Sequence, residues 1–141
     1  MITCAMCDDE LPFAEQLRSL VMAYAKKKRV ELQAETFASA EELLEEIENG
    51  AGFEILFLDI EMRKMDGIEL GKKLRERLYQ TLIIYVSGYD QYMRQLFEAE
   101  PFRFLSKPLK QEELENVLDK AFERISRFHR ELFLSLIHIS E

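Results

Sequence analysis

Cysteine, histidine, proline and glycine are all scarce in this 141-residue chain, at two, two, three and five copies. Two cysteines cannot supply a disulfide framework. The histidines, His129 and His138, lie far from both cysteines, and there is no second cysteine pair to complete a zinc site. So few prolines and glycines leave no linker or low-complexity stretch, and a chain of this length reads as one compact domain. No apolar run approaches the roughly 18 residues that a membrane span needs. The N-terminus lacks the basic-then-apolar pattern of a secretion signal, because Asp8-Asp9-Glu10 follows almost at once. Positive charge is also short. Lys and Arg number 19 against 27 Asp and Glu, a net charge of −8, which argues against direct nucleic-acid binding by this segment. What is present is an ordinary globular mix, 48% hydrophobic and 33% charged, expected to form a cytoplasmic domain with a core of its own.

The two cysteines are spaced C-x-x-C, as Cys4 and Cys7. The segment Ile2–Cys7 is short and apolar and reads as a buried strand. Residues three apart in a strand point to opposite faces, so the two sulfurs share neither a metal nor a disulfide. The expectation is two buried structural thiols.

Strand and helix patterns alternate along the chain. After the first strand, Asp9 or Glu10 caps a helix with Pro12 in its first turn. Leu17, Leu20, Val21 and Tyr24 recur at helical spacing, and Lys26–Arg29 closes that helix. Val30–Phe37 alternates as a second strand. Ser39 and Glu42 form a capping box for a helix that Asn49-Gly50 ends. Phe53–Asp59 is a nearly continuous apolar strand ending in an acid. Met65-Asp66-Gly67 opens a helix to about Arg77, Leu82–Val86 is a fourth strand, and a polar helix follows over residues 90–99. Phe102–Leu105 is a short fifth strand, and a last helix runs from near Gln111 to about Glu131. Five strands alternating with five helices predict an α/β fold, a doubly wound five-stranded parallel sheet.

In such sheets the site forms beyond the carboxyl ends of the strands. The polar residues expected there are Asp8 and Asp9 after strand one, Asp59 at strand three, Ser87 at strand four and Lys107 after strand five. Each alone has a dull explanation as a cap, a turn or a surface lysine. Together, in this order, they form a constellation. Three carboxylates in one cleft repel each other unless a cation lies between them. An all-oxygen donor set selects a hard ion such as Mg²⁺, which also takes a phosphate oxygen. An ammonium and a hydroxyl across the cleft suit the remaining phosphoryl oxygens. Asp59, central in the sheet, is then the candidate nucleophile, since carboxylates form aspartyl phosphates.

The pieces Cys7-Asp8-Asp9-Glu10, Leu58-Asp59-Ile60-Glu61-Met62, Met65-Asp66-Gly67-Ile68-Glu69-Leu70, Val86-Ser87-Gly88-Tyr89 and Phe104-Leu105-Ser106-Lys107-Pro108 resemble, in order and spacing, the response-regulator receiver domain of bacterial two-component signalling. The resemblance spans about residues 1–125. The Asp-Ile-Glu-Met and Phe-Leu-Ser-Lys-Pro wording is most similar to receivers of LytTR-type transcriptional regulators. It implies the CheY-like, flavodoxin-like fold. It further implies that Asp59 takes phosphate from a sensor histidine kinase, that Asp8, Asp9, Asp59 and the backbone carbonyl of Glu61 hold Mg²⁺, and that Ser87 and Lys107 bind phosphoryl oxygens. By the same resemblance Phe104 is an aromatic switch that follows Ser87. The resemblance also implies an output surface made of the fourth helix, fifth strand and fifth helix, often a dimer face in relatives. The receiver is expected to catalyse only its own phosphorylation and dephosphorylation.

The chain departs from the family pattern in three places. Arg63 stands where proline is usual, and is expected to lie in solvent rather than reach phosphate. Ser87 replaces the commoner threonine. Glu100-Pro101 precedes the fifth strand where small residues are usual. Residues 1–131 are expected to be the receiver and 132–141 an extension. Three readings of that extension stand open: the first strand of an output domain, an appended or truncated tail, or a continuation of the last helix packed on a partner. The truncated tail is favoured.

Two other functions compete. A haloacid-dehalogenase-type phosphatase shares the strand-ending Asp59, Ser87 and Lys107. It wants aspartate two residues after the nucleophile, where this chain has Glu61, and an acidic pair after the lysine rather than at the N-terminus. A receiver-like docking module without phosphorylation is disfavoured by the complete acid, serine and lysine set.

Overall fold

The computed structural model describes residues 1–62, 66–77, 80–88 and 101–139. Among the described residues nine elements follow one another: β1 (Ile2–Cys7), α1 (Leu11–Lys27), β2 (Leu32–Phe37), α2 (Ala40–Glu48), β3 (Ile55–Asp59), α3 (Gly67–Arg77), β4 (Leu82–Ser87), β5 (Arg103–Ser106) and α4 (Gln111–Ile139). The helix expected over 90–99 lies outside the described residues, as do Arg63 and Glu100. The strands form one parallel sheet in the order β2-β1-β3-β4-β5. The order turns back at β1, so loops beyond the carboxyl ends of β1 and β3 face each other across a crevice.

Alternation along each strand builds two cores. Cys4, Met6, Ile55, Phe57, Ile84 and Val86 pack with α1 and α4 on one face. Ala5, Cys7, Leu56, Leu58, Ile83 and Tyr85 pack with α2 and α3 on the other. β3 and β4 are buried throughout, as strands covered on both faces must be. The cysteines therefore lie on opposite faces of β1, both free and buried.

Element ends follow local chemistry. Glu10 occupies the N-cap of α1 without a capping side-chain bond. The Asp8 carboxylate instead accepts from the Glu10 N–H at 2.8 Å. At the other end Arg29 takes φ 59°, and the Val30 N–H donates to the Ala25 carbonyl at 2.8 Å. That closure uses residues 28–30, so β2 begins at Leu32 rather than Val30. Ser39 caps α2 by accepting from the Glu42 N–H at 3.2 Å, and the Glu42 carboxylate reaches back to the Ala38 N–H at 3.3 Å.

Two glycines of α3 are dictated by close approach. A Cβ on Gly67 would collide with the Asp59 carbonyl oxygen, and one on Gly71 would collide with the Tyr85 hydroxyl. The start of α3 is thereby pressed onto the end of β3, beside Asp59. Its cap is Asp66, which accepts from the Glu69 N–H at 2.7 Å.

The last helix runs on past Glu131, where the sequence reading stops it, to Ile139. The extension is helical over 132–139. Leu132, Phe133, Leu134, Leu136 and Ile137 are exposed along it. Among the described residues no helix is long and apolar enough to cross a membrane.

Candidate functional site

The carboxyl ends of β1, β3 and β5 deliver four charged side chains to one spot. Asp8 and Asp9 follow β1, Asp59 ends β3 and Lys107 follows β5. A carboxylate oxygen from each aspartate lies within 4.8 Å of the others. Asp8 and Asp59 are buried, 3% and 4% exposed, so water does little to screen their repulsion. Lys107 answers part of it. Its Nζ lies 3.1 Å from Asp8 Oδ2 and 3.4 Å from Asp59 Oδ1. The Phe13 ring lies 4.3 Å from the same ammonium, a face that attracts a cation and shields it from water. The backbone anchors the lysine, because the Lys107 N–H donates to the Ser87 carbonyl at 2.8 Å and β5 pairs with β4 up to Ser87 and Ser106.

The electrostatics are unbalanced in a useful direction. Burial, and then the neighbouring Asp8 charge, push the Asp59 carboxyl up to about 7, although Lys107 and the Glu61 N–H pull it down. Burial works against the Lys107 ammonium, but Asp59 and Asp8 more than offset it and hold the lysine above its ordinary value. Asp59 Oδ1 is buried, and although the Lys107 ammonium lies 3.4 Å away, no donor among the described residues is aligned to hydrogen-bond it. An all-oxygen cluster with an orphaned buried carboxylate oxygen fits a hard divalent cation. It does not fit zinc or copper, which favour imidazole and thiolate.

Ser87 and Phe104 stand at the side of this cluster. Ser87 is buried at the end of β4, and its hydroxyl donates to Glu61 Oε1 at 3.1 Å. Phe104 pairs in register with Tyr85 and is half-buried against the core shared with α2 and α3.

Three features were missed by sequence reasoning. The Glu61 side chain, rather than only its carbonyl, engages Ser87. It carried no local signal, because β3 ends at Asp59 and the chain bends at residue 60 before Glu61 meets Ser87. The Phe13 ring over Lys107 had no signal, because it joins residues far apart in the chain. The Cys7 thiol lies 3.7 Å from the Met62 sulfur. Burial, and then Asp8, push that thiol up to about 12, so it stays protonated and inert.

The family model described as the response regulator receiver domain matches residues 5–119. The chain belongs to this family. It is a receiver domain of a two-component response regulator, a phosphorylation-controlled switch. It is 32% identical over 130 residues to an uncharacterized response regulatory protein of Vibrio cholerae, covering 92% of this chain and 51% of that protein. It is 34% identical over 68 residues to the transcriptional regulatory protein LytR of Staphylococcus aureus, covering 48% of this chain and 28% of LytR. The fold is that of the response regulatory domain of mrkE from Klebsiella pneumoniae, with a TM-score of 0.80 at 18% identity, covering 89% of this chain and 99% of that one. The receiver spans about half the length of the first curated relatives it matches. Membership of this family removes the haloacid-dehalogenase reading, which Glu61 and the N-terminal acidic pair already disfavoured.

Proposed function

We propose that Asp59 accepts a phosphoryl group from the phosphohistidine of a sensor histidine kinase in a Mg²⁺-dependent reaction. The observation that carries this reading is the meeting of Asp8, Asp9 and Asp59 with Lys107 at one edge of the sheet. Asp8, Asp9, Asp59 and the backbone carbonyl of Glu61 are the groups that would hold the ion. When bound, Mg²⁺ neutralises carboxylate charge and takes a phosphoryl oxygen. In the transfer, a carboxylate oxygen of Asp59 forms a bond to phosphorus as the phosphorus–nitrogen bond to the histidine breaks. The protein's part is mainly positioning and charge neutralisation. Lys107 and the Ser87 hydroxyl bind the remaining phosphoryl oxygens.

For Ser87 to reach phosphate it must leave Glu61. Phe104, on the neighbouring strand and only half-buried, moves inward in response. The receiver thus catalyses no turnover beyond its own phosphorylation and dephosphorylation. Residues 1–131 are the receiving unit. Output travels through segment 90–99, β5 and the last helix, by homodimerisation and onward to a transcriptional effect of the kind the name LytR states for that relative. The unit acts in the bacterial cytoplasm, where kinase and phosphodonor meet.

Thermal unfolding tests the pocket. A ligand that binds only the folded state raises the melting temperature. Mg²⁺ should do so, and Mg²⁺ with beryllofluoride should do so further. A melting temperature indifferent to both contradicts the proposal. Sedimentation should show monomer shifting toward dimer with beryllofluoride, and an unchanged monomer with the ligand bound removes the dimer from the account.

A further inference from the structure

Across the sheet from Asp59, at the amino ends of the strands, lies a cleft of about 850 Å³. A strand of five or six residues separates the two sites by roughly 17–20 Å. Nothing in phosphoryl transfer uses this edge. Its lining is basic for so acidic a chain. The chain carries a net charge of −8, yet Arg75, Arg103 and Arg124 all line this cleft, against Glu54.

Two of the arginines lie against one ring. Arg103 Cζ lies 4.5 Å and Arg124 Cζ 5.1 Å from the centre of the Phe102 ring. Arg103 is steered there by donating to the Phe102 carbonyl at 2.7 Å, and Arg75 is fixed by donating to the Thr81 carbonyl at 2.9 Å. Among the described residues, neither Arg103 nor Arg124 forms an ion pair with a carboxylate. Glu54 is occupied, 2.9 Å from His129 Nε2. The cleft therefore presents two guanidinium groups with unspent hydrogen-bond donors beside an apolar wall of Phe102, Ile125 and Phe128.

Two physical facts narrow the ligand. A guanidinium is a planar fork that pairs carboxylate or phosphate bidentately and also stacks on flat rings. A cleft of about 300–1,000 Å³ with an apolar wall and a few convergent polar groups is the usual form of a small-molecule site. A simple inorganic anion leaves the apolar half wet. A neutral apolar ligand leaves the guanidinium groups unanswered. We propose that this cleft binds a small planar anion, a flat ring bearing a phosphate or carboxylate, with the ring on the Phe102 layer and the anion on Arg103 and Arg124. The site spans the start of β5 and the last helix, so its occupant ties together two elements of the output face.

Amide NMR titration of the full chain tests this, with adenosine 5′-monophosphate, benzoate, adenosine and inorganic phosphate as separate probes. The expected result is saturable shifts at Glu54, Leu82, Arg103 and Arg124 with adenosine 5′-monophosphate, benzoate or both. Which of the two binds separates a phosphorylated nucleoside from an aromatic acid. Arg103→Gln or Arg124→Gln should weaken binding about tenfold each, the scale of a charge-assisted hydrogen-bonded pair. Arg124→Lys, which keeps the charge but loses the fork, should weaken it severalfold. Asp59→Asn should leave it unchanged. Absence of saturable shifts with both ring anions overturns the proposal. So does equal affinity for inorganic phosphate alone, or undiminished affinity in folded Arg103→Gln and Arg124→Gln proteins. None of these outcomes bears on phosphorylation, so the two readings fail separately.

Discussion

A buried carboxylate that keeps its proton nearly to neutrality is a cost carried for function. In the unfolded chain Asp59 loses its proton near the ordinary value of 3.8, and in the folded chain near 7. Between those values the folded state binds more protons than the unfolded, so stability falls as pH rises. Urea melts without metal should lose on the order of a few kcal/mol across about pH 4–7 from this group. Asp59→Asn should flatten that slope and raise stability at pH 7. Saturating Mg²⁺ should also flatten it, by stabilising the ionised form. A slope that is the same in the parent and in Asp59→Asn would place the titration elsewhere. The same residue illustrates what a sequence discloses. Asp59 ends an apolar strand, and its place in a candidate site is legible only in company with Asp8, Asp9, Ser87 and Lys107 at the other strand ends. The interaction of Ser87 with Glu61 and of Phe13 with Lys107 depends on loop paths and rotamers that no local pattern encodes.

At the scale of elements, the device that aims the site is the tight seating of α3 against β3 and β4. Gly71 is the sensitive point, since the Tyr85 hydroxyl occupies the place of its missing Cβ. That hydroxyl is buried and has no hydrogen-bond partner among the described residues. Two effects oppose each other in Gly71→Ala. Helix propensity favours alanine by roughly 1 kcal/mol, whereas overpacking of a rigid core costs about 1–3 kcal/mol. The clash is with an aromatic side chain buried in the core, so a net loss of about 1–2 kcal/mol is expected from chemical denaturation. Tyr85→Phe removes the obstructing oxygen and should recover part of that loss in the double variant. Strictly additive losses would show that the two positions are not coupled. Strands were legible to within two residues because alternating or continuous apolar runs are local signals. The reach of the last helix was not. Phe133–Ile139 is apolar enough to read as a strand, and continuity with a formed helix decided its conformation.

For the molecule as a whole, parallel order does the organising. Because every strand points the same way, acids placed at strand ends in sequence become neighbours in space. That is why order and spacing of a few residues predicted the fold and the acidic pocket together. The opposite edge collects arginines that no motif announced, since Arg75, Arg103 and Arg124 lie on three separate elements. The receiver thus gathers carboxylates at one pole and guanidinium groups at the other.

Asp59 as the phosphoryl acceptor stands or falls on one measurement. Intact-protein mass after incubation with Mg²⁺ and a small acyl phosphate, with Asp59→Asn in parallel, tests it most directly. The account predicts one added phosphoryl group on the parent, stable in acid and labile in base, and none on the variant or without Mg²⁺. Equal phosphoryl gain by parent and variant, or none on a parent shown to bind Mg²⁺, would contradict it.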